Sequence, residues 1–251
     1  MQFPVNLRIG ALELPAHLIF EMLAYFVGFR FYLRTRERRG DVLAQGTRWT
    51  VVVAAALGGA LGSKLLHHLA SPTRFMEHWA EPGYVMGGKT IVGGLLGGVI
   101  AVEIAKKIWK VRGSTGDLFS IPLCLGMAVG RVGCFLAGAS DDTVGGLTRV
   151  PWAVDFGDGP RHPTALYELL FLLVLALGLH RIRAKLKVQG RLFHLFMFAY
   201  LAFRWVCDFW KPYERLFGLR GIQWACVAGL LYYSTLLIRT SSTRTQDAID
   251  V

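Results

Sequence analysis

Charged residues are scarce in this chain: 18% of its 251 residues are Asp, Glu, Lys or Arg, whereas 53% are hydrophobic. A soluble domain of this length needs more polar surface, so the composition indicates that the lipid bilayer is the solvent. A Pro/Ser-rich linker and an internal repeat are also lacking. We therefore expect one helical membrane domain over residues 1–251.

Cysteine patterns that bind metal or form a disulfide framework are lacking too. The four cysteines lie in or beside apolar runs, without a CxxC pair or a Cys/His spacing typical of zinc ligands. We expect no metal and no organic cofactor. The N-terminal residues also lack the basic and apolar segments of a cleaved signal peptide, so the first helix is expected to direct insertion.

Seven apolar segments approach the roughly 20 residues that a helix needs to cross the hydrocarbon core of a bilayer. They are residues 12–33, 49–70, 88–107, 118–138, 163–181, 192–210 and 221–238. The sequence therefore predicts an all-α membrane protein with about seven transmembrane helices.

The net charge of +11 is concentrated in short gaps between the apolar segments. This distribution is typical of cytoplasmic loops rather than of a nucleic-acid-binding face, so we expect no nucleic acid partner. The first, third and fifth loops are the basic ones, which predicts an extracytoplasmic N-terminus and a cytoplasmic C-terminus. The outer loops are then about 71–87, 139–162 and 211–220.

The loop at 211–220 does not follow the charge rule. It should lie outside, yet Lys211, Arg215 and Arg220 stand there against Glu214. Attraction of anionic lipid headgroups is one explanation for its basic character.

Ionisable residues inside apolar segments indicate a functional site, because inserting one costs ~2.5–3.5 kcal/mol. They are Glu21, Lys64, Glu103, Arg131, Glu168, Arg204 and Asp208. On the predicted topology the last four lie toward the outer ends of their helices, and we expect them to line one outward-facing pocket. Guanidinium groups bind phosphate oxygens bidentately and stay charged when buried, so the pattern favours phosphate recognition.

Each of these features also has a purely structural interpretation. Arg204 and Asp208, four residues apart, are also explained as an ion pair that fixes helix packing. Arg131 is also explained as a side chain that snorkels to the interface. His162 is as well explained as a helix-entry residue, and the glycines of residues 87–98 as sites of close helix packing.

Six segments in register resemble the prolipoprotein diacylglyceryl transferase family. They are FEMLAYFVGF (20–29), TIVGGLLGG (90–98), GRVGCFLAG (130–138), RHPTALYE (161–168), YLAFRWVCDFWKP (200–212) and GLRGIQW (218–224). The resemblance covers most of the chain and implies a multi-pass protein of the bacterial inner membrane.

The resemblance implies transfer of the diacylglyceryl group of phosphatidylglycerol, or another anionic phospholipid, to the lipobox cysteine of a prolipoprotein. The motif positions implied in catalysis are Arg131, Arg204, Asp208 and His162, with Glu21 as a further candidate. The positions implied in substrate binding are Arg161, Tyr167, Glu168, Tyr200, Lys211, Cys134, Gly93 and Gly94.

Three departures from the family pattern affect the thiol side of the reaction. Val92 stands where the family has a histidine directly before Gly-Gly, Glu21 replaces a tyrosine, and the residues after Gly138 differ. Glu21, His162 and Asp208 are the candidates for a compensating base. The alternatives are a paralogue with another acceptor, a phospholipid-binding scaffold without activity and, on the buried charges alone, a transporter.

Overall fold

The computed structural model describes residues 2–10, 12–40, 45–111, 113–141, 143–212, 215 and 217–246. Glu214, one of the charges discussed above, lies outside these residues. The helices are α1 (Ala16–Arg39), α2 (Gln45–Ala70), α3 (Pro72–His78), α4 (Pro82–Met86), α5 (Ile91–Ile108), α6 (Asp117–Ala137), α7 (Thr164–Ile182), α8 (Arg191–Cys207) and α9 (Gly221–Gln246). Short 3₁₀ turns follow α6 (Gly138–Asp141) and α8 (Asp208–Trp210).

Six of these helices, α1, α2, α6, α7, α8 and α9, are long and apolar enough to cross a membrane. The chain is therefore a mostly helical, multi-pass membrane protein. The remaining predicted span corresponds to α5, whose 18 residues include Glu103, Lys106 and Lys107. Its crossing of the bilayer and the orientation of the termini stay predictions.

Two small hairpins were not predicted from the sequence. Strands β1 (Asn6–Ile9) and β2 (Leu12–Pro15) pair antiparallel just before α1, and β3 (Val154–Asp155) pairs with β4 (Pro160–Arg161) between α6 and α7. Because β2 takes up residues 12–15, α1 begins four residues later than predicted. The predicted loop at 71–87 is also partly helical, and both of its helices begin with proline, which suits a first helical position.

Contacts divide the described residues into two compact units. The first comprises residues within 1–40, 116–196 and 209–212, in which α6 packs against α1 and α7. Small residues make the contact with α1 close: a Cβ atom added at Gly133 would lie 2.8 Å from Phe20 Cβ. The N-terminal segment is joined to α6 by a hydrogen bond from Val5 N to Leu136 O of 2.9 Å.

The second unit comprises residues within 41–115, 197–208 and 213–251, where α2 packs against α5 and α9 contacts both. Glycines bring α2 and α5 into backbone contact: a Cβ atom added at Gly62 would lie 2.7 Å from Gly97 Cα. Thr90 caps α5 by accepting a hydrogen bond from Gly93 N of 3.3 Å. The glycine-rich motif thus serves helix packing, as the structural interpretation predicts.

Replacement of Gly97 by alanine is expected to destabilise the second unit. Its added Cβ would overlap Gly58 O and lie 2.8 Å from Gly62 Cα, whereas a Cβ at Gly94 would meet its nearest neighbour at an ordinary 3.5 Å. Both changes gain about 1 kcal/mol of helix propensity, but Gly97→Ala adds an overlap that costs about 1–3 kcal/mol. Thermal unfolding in detergent should show a lower Tm for Gly97→Ala than for Gly94→Ala, and equal values would contradict this packing.

Candidate active site

A buried ion pair joins α6 to α7 in the first unit. Arg131 Nη2 of α6 lies 2.9 Å from Glu168 Oε1 of α7, and the two residues are 5% and 1% exposed. The same guanidinium approaches Cys134, with Nη1 3.5 Å from Sγ. Arg131 is therefore held inside the protein by a carboxylate of the neighbouring helix, and the snorkelling interpretation is wrong.

A second pair lies at the end of α8, in the second unit. Arg204 Nη2 is 3.0 Å from Asp208 Oδ1, and the residues are 5% and 0% exposed. Both partners belong to consecutive turns of one chain segment, so the pair does not join two helices. Tyr200, also fully buried, precedes Arg204 by four residues, and the three side chains follow one another at a helical repeat of four. Among the described residues, Asp208 Oδ2 has no hydrogen-bond partner.

The basic residues of the 211–220 loop differ in their exposure to solvent. Lys211, in the first unit, and Arg220, in the second, are both buried, whereas Arg215 is exposed. Arg220 N donates to Gln223 Oε1 at 3.0 Å, and Gln223 Nε2 donates to Trp205 O at 3.0 Å. Lys211 and Arg220 are thus built into the protein, which explains why this loop departs from a rule for solvated loops.

The guanidinium of Arg161 braces the loop between α6 and α7. Its Nε and Nη2 donate to the two carboxylate oxygens of Asp158 at 2.8 and 2.7 Å, and Nη1 donates to Gly145 O at 3.2 Å. The hydrogen bond from Arg161 lowers the pKa of the Asp158 carboxyl below its ordinary value. Arg161 therefore holds loop structure, and its implied contact with substrate stays a prediction.

His162 and Tyr167 form a hydrogen-bonded cluster at the start of α7. His162 Nδ1 lies 3.1 Å from the Tyr167 hydroxyl, which also accepts a 2.7 Å hydrogen bond from Trp152 Nε1. The backbone of His162 is fixed from both sides, because its N–H donates to Gly146 O and its carbonyl accepts from Gly145 N. Sequence reasoning missed Trp152, since a single loop tryptophan belongs to no motif used above.

Glu21 lies on α1 beside a histidine that the sequence did not single out. Glu21 Oε2 is 3.8 Å from His17 Nε2, and Glu21 Oε1 accepts a 3.4 Å hydrogen bond from the Tyr25 hydroxyl. The Glu21 side chain is 24% exposed. His17 also lines a cavity of about 280 Å³, together with Pro4, Val5, Asn6, Pro15, Ala137 and Ser140. A partly exposed carboxylate thus lies beside a histidine that lines a cavity.

Val92 is 1% exposed in the first turn of α5. The position where the family resemblance places a histidine is therefore filled by a packed apolar side chain. Gly93, next to it, is buried against α2, and Gly94 faces the same helix at ordinary contact distance. This part of the chain supplies no titratable group to a reaction.

The predicted site residues thus fall into two groups. The first unit holds Arg131, Cys134, Glu168, Arg161, His162, Tyr167, Lys211 and Glu21, and the second holds Tyr200, Arg204, Asp208, Gly93 and Gly94. Their convergence on one pocket stays a prediction.

The six helices that are long and apolar enough to cross a membrane define the class to which this protein belongs, the multi-pass integral membrane proteins. The sequence model of the prolipoprotein diacylglyceryl transferase family matches residues 4–239. The chain belongs to this family, and it is an enzyme of the transferase class. The resemblance drawn from the motifs is therefore confirmed.

Characterised relatives span nearly the same length. The chain is 30% identical over 241 residues to the phosphatidylglycerol–prolipoprotein diacylglyceryl transferase of Geobacter sulfurreducens. This alignment covers 87% of each chain. It is 31% identical over 262 residues to the protein of the same name from Bordetella bronchiseptica, covering 95% of each chain. It is 31% identical over 255 residues to that of Pasteurella multocida, covering 94% of this chain and 88% of the relative.

Removal of the Glu168 carboxylate is expected to destabilise the first unit strongly. Glu168→Ala leaves the buried guanidinium of Arg131 without its 2.9 Å partner, at a cost of about 3–5 kcal/mol. Glu168→Gln keeps the shape and one acceptor oxygen, so its loss should be smaller. The exposed Glu103, paired with Lys106 one turn away, provides the control, since Glu103→Ala should change stability by less than about 1 kcal/mol. Similar unfolding temperatures for Glu168→Ala and Glu103→Ala would contradict a stabilising role of the buried pair.

Proposed function

We propose that the chain transfers the diacylglyceryl group of phosphatidylglycerol, or another anionic phospholipid, to the lipobox cysteine of a prolipoprotein at the outer leaflet of the bacterial inner membrane. The names of its relatives support this donor and acceptor. The observation that carries the proposal is the buried Arg131, oriented by Glu168. Its guanidinium has five N–H donors, and a single contact with a carboxylate does not use all five. A guanidinium also binds phosphate oxygens well.

The proposed reaction is a substitution at the glycerol carbon that carries the phosphate. The acceptor thiol gives its proton to a base, and the thiolate sulfur forms a bond to this carbon. The bond between the carbon and the phosphate oxygen breaks, and glycerol phosphate leaves with the electron pair. Arg131 stabilises the negative charge of the departing phosphate.

We infer that Glu21 is the base. Asp208 is fully buried and its Oδ1 is bound by Arg204 at 3.0 Å, which leaves little access for a thiol. His162 is engaged at Nδ1 by Tyr167. Glu21 is partly exposed, and the neighbouring His17 lines the cavity of about 280 Å³. Glu21 therefore combines a proton acceptor with room for the acceptor side chain.

Transfer with a different acceptor is a second candidate. The buried Val92 favours it, because the position implied in thiol activation holds no titratable group. The donor side of the reaction, with Arg131, is the same in both candidates.

The first test combines purified protein in liposomes of phosphatidylglycerol with a lipobox peptide, and follows the peptide mass. Transfer should occur with the wild type and fall by about 100-fold or more in Arg131→Ala. Arg181→Ala, which removes an exposed arginine at the far end of α7, should behave like the wild type. Wild-type turnover in Arg131→Ala would remove the phosphate-binding role. Release of glycerol phosphate without peptide modification would favour the second candidate, and bound lipid without any product would contradict a transferase.

The base assignment predicts a distinct pH dependence for Glu21→Gln. At neutral pH this change should slow thiol transfer by about 100-fold, because the glutamine accepts no proton. The deficit should shrink as the pH rises toward about 8.5, where the acceptor thiol ionises without help. Glu13→Gln, an exposed carboxylate on β2, is the matched control and should leave the pH profile unchanged. A deficit that stays constant from pH 6 to 9 would contradict the assignment.

A further inference from the structure

Three side chains of the first unit form a directed hydrogen-bond chain. Trp152 Nε1 lies 2.7 Å from the Tyr167 hydroxyl oxygen, and this oxygen lies 3.1 Å from His162 Nδ1. An indole N–H only donates hydrogen bonds, so Trp152 is the donor and the Tyr167 oxygen the acceptor. The direction of the first bond is thereby fixed by chemistry alone.

The direction of the second bond depends on the tautomer of His162. The Tyr167 hydroxyl carries one proton, and His162 Nδ1 is the acceptor that the described residues provide for it. A neutral imidazole accepts at Nδ1 only when its own proton resides on Nε2. When the Tyr167 hydroxyl donates to Nδ1, the imidazole proton is therefore on Nε2 and makes His162 a donor there.

The surroundings of His162 keep the imidazole in place. Its backbone is paired with Gly145 and Gly146, and its ring packs against Trp210 with ring centres 6.1 Å apart. Tyr167 immediately precedes Glu168, the partner of Arg131, so the hydrogen-bond chain and the buried guanidinium are both anchored in the first turns of α7. The positions of the His162 ring and of the Arg131 guanidinium thus both depend on the first turns of α7. Both groups suit phosphate oxygens as hydrogen-bond donors.

We propose that Trp152 is a positioning residue that acts through Tyr167 to hold His162 with Nδ1 as the acceptor and with its proton on Nε2. In this state His162 donates a hydrogen bond to a phosphate oxygen of the lipid and does not serve as the base for the acceptor thiol. The assignment of the phosphate rests on the proposed function. The control of the histidine by Trp152 rests on the hydrogen-bond geometry alone.

The first experiment determines the tautomer of His162 directly, by ¹⁵N NMR of the full chain in detergent with ¹⁵N-labelled histidine. The chain has seven histidines, and the signal lost in His162→Gln identifies His162. The wild type should show the tautomer protonated at Nε2, and both Trp152→Phe and Tyr167→Phe should give a mixture of tautomers. Trp210→Phe, which replaces a tryptophan against the same ring, should leave the tautomer unchanged. A wild-type histidine protonated at Nδ1 would overturn the proposal.

The second experiment tests whether His162 acts as a hydrogen-bond donor or as a base. It measures transfer activity in phosphatidylglycerol liposomes with the lipobox peptide. Glutamine places an amide N–H near the position of Nε2–H, so His162→Gln should stay within about 3-fold of the wild type. His162→Ala should lose about 10- to 100-fold, mainly as a higher KM for the lipid, and Trp152→Phe about 3- to 10-fold. A His162→Gln variant as impaired as His162→Ala would overturn the donor role. The Nε2–H tautomer in a wild type that turns over no lipid would instead contradict the proposed function while supporting the role of Trp152.

Discussion

Charge buried in helices that cross an apolar layer has to be compensated within the protein, because neither water nor lipid does so. In the first unit this requirement is met by Arg131 and Glu168, which face each other from α6 and α7. The pair fixes which sides of the two helices meet. It also places the start of α7 at a defined distance from the guanidinium. His162 lies just before this helix and Tyr167 in its first turn. The loop contacts and the proposed lipid site both depend on this alignment.

The two buried pairs differ in what they do for the protein. The Arg131–Glu168 pair joins separate helices, so it combines a structural contact with orientation of a guanidinium. The Arg204–Asp208 pair lies within one segment, at the end of α8. Burying an ion pair rarely improves stability over an apolar pair of similar size.

The helices were largely predictable from the sequence, since apolar runs of about 20 residues leave few alternatives in a membrane. The hairpin before α1 was not, because its four-residue strands give too short a pattern, even with Gly10 at φ 64° in the turn. Arg204 and Asp208 are paired as their spacing predicts, whereas the partner of Arg131 depends on which face of α7 packs against α6. Trp152 and His17 lie outside the motifs. Only the folded chain brings Trp152 to Tyr167, whereas His17 lies four residues before Glu21, where helical spacing alone brings the two together.

The closest approaches between α2 and α5 are made by glycine Cα atoms and backbone carbonyls. Side chains that pack in an interface lose rotamer freedom, at a cost of up to about 2 kcal/mol each for the long ones, and glycine has none to lose. At these glycine positions the two helices therefore associate without loss of side-chain entropy. Their association depends instead on dispersion between closely spaced backbone atoms, which falls off steeply with distance. The pair should accordingly separate abruptly on heating, with no loosely packed intermediate in which the helices remain in partial contact.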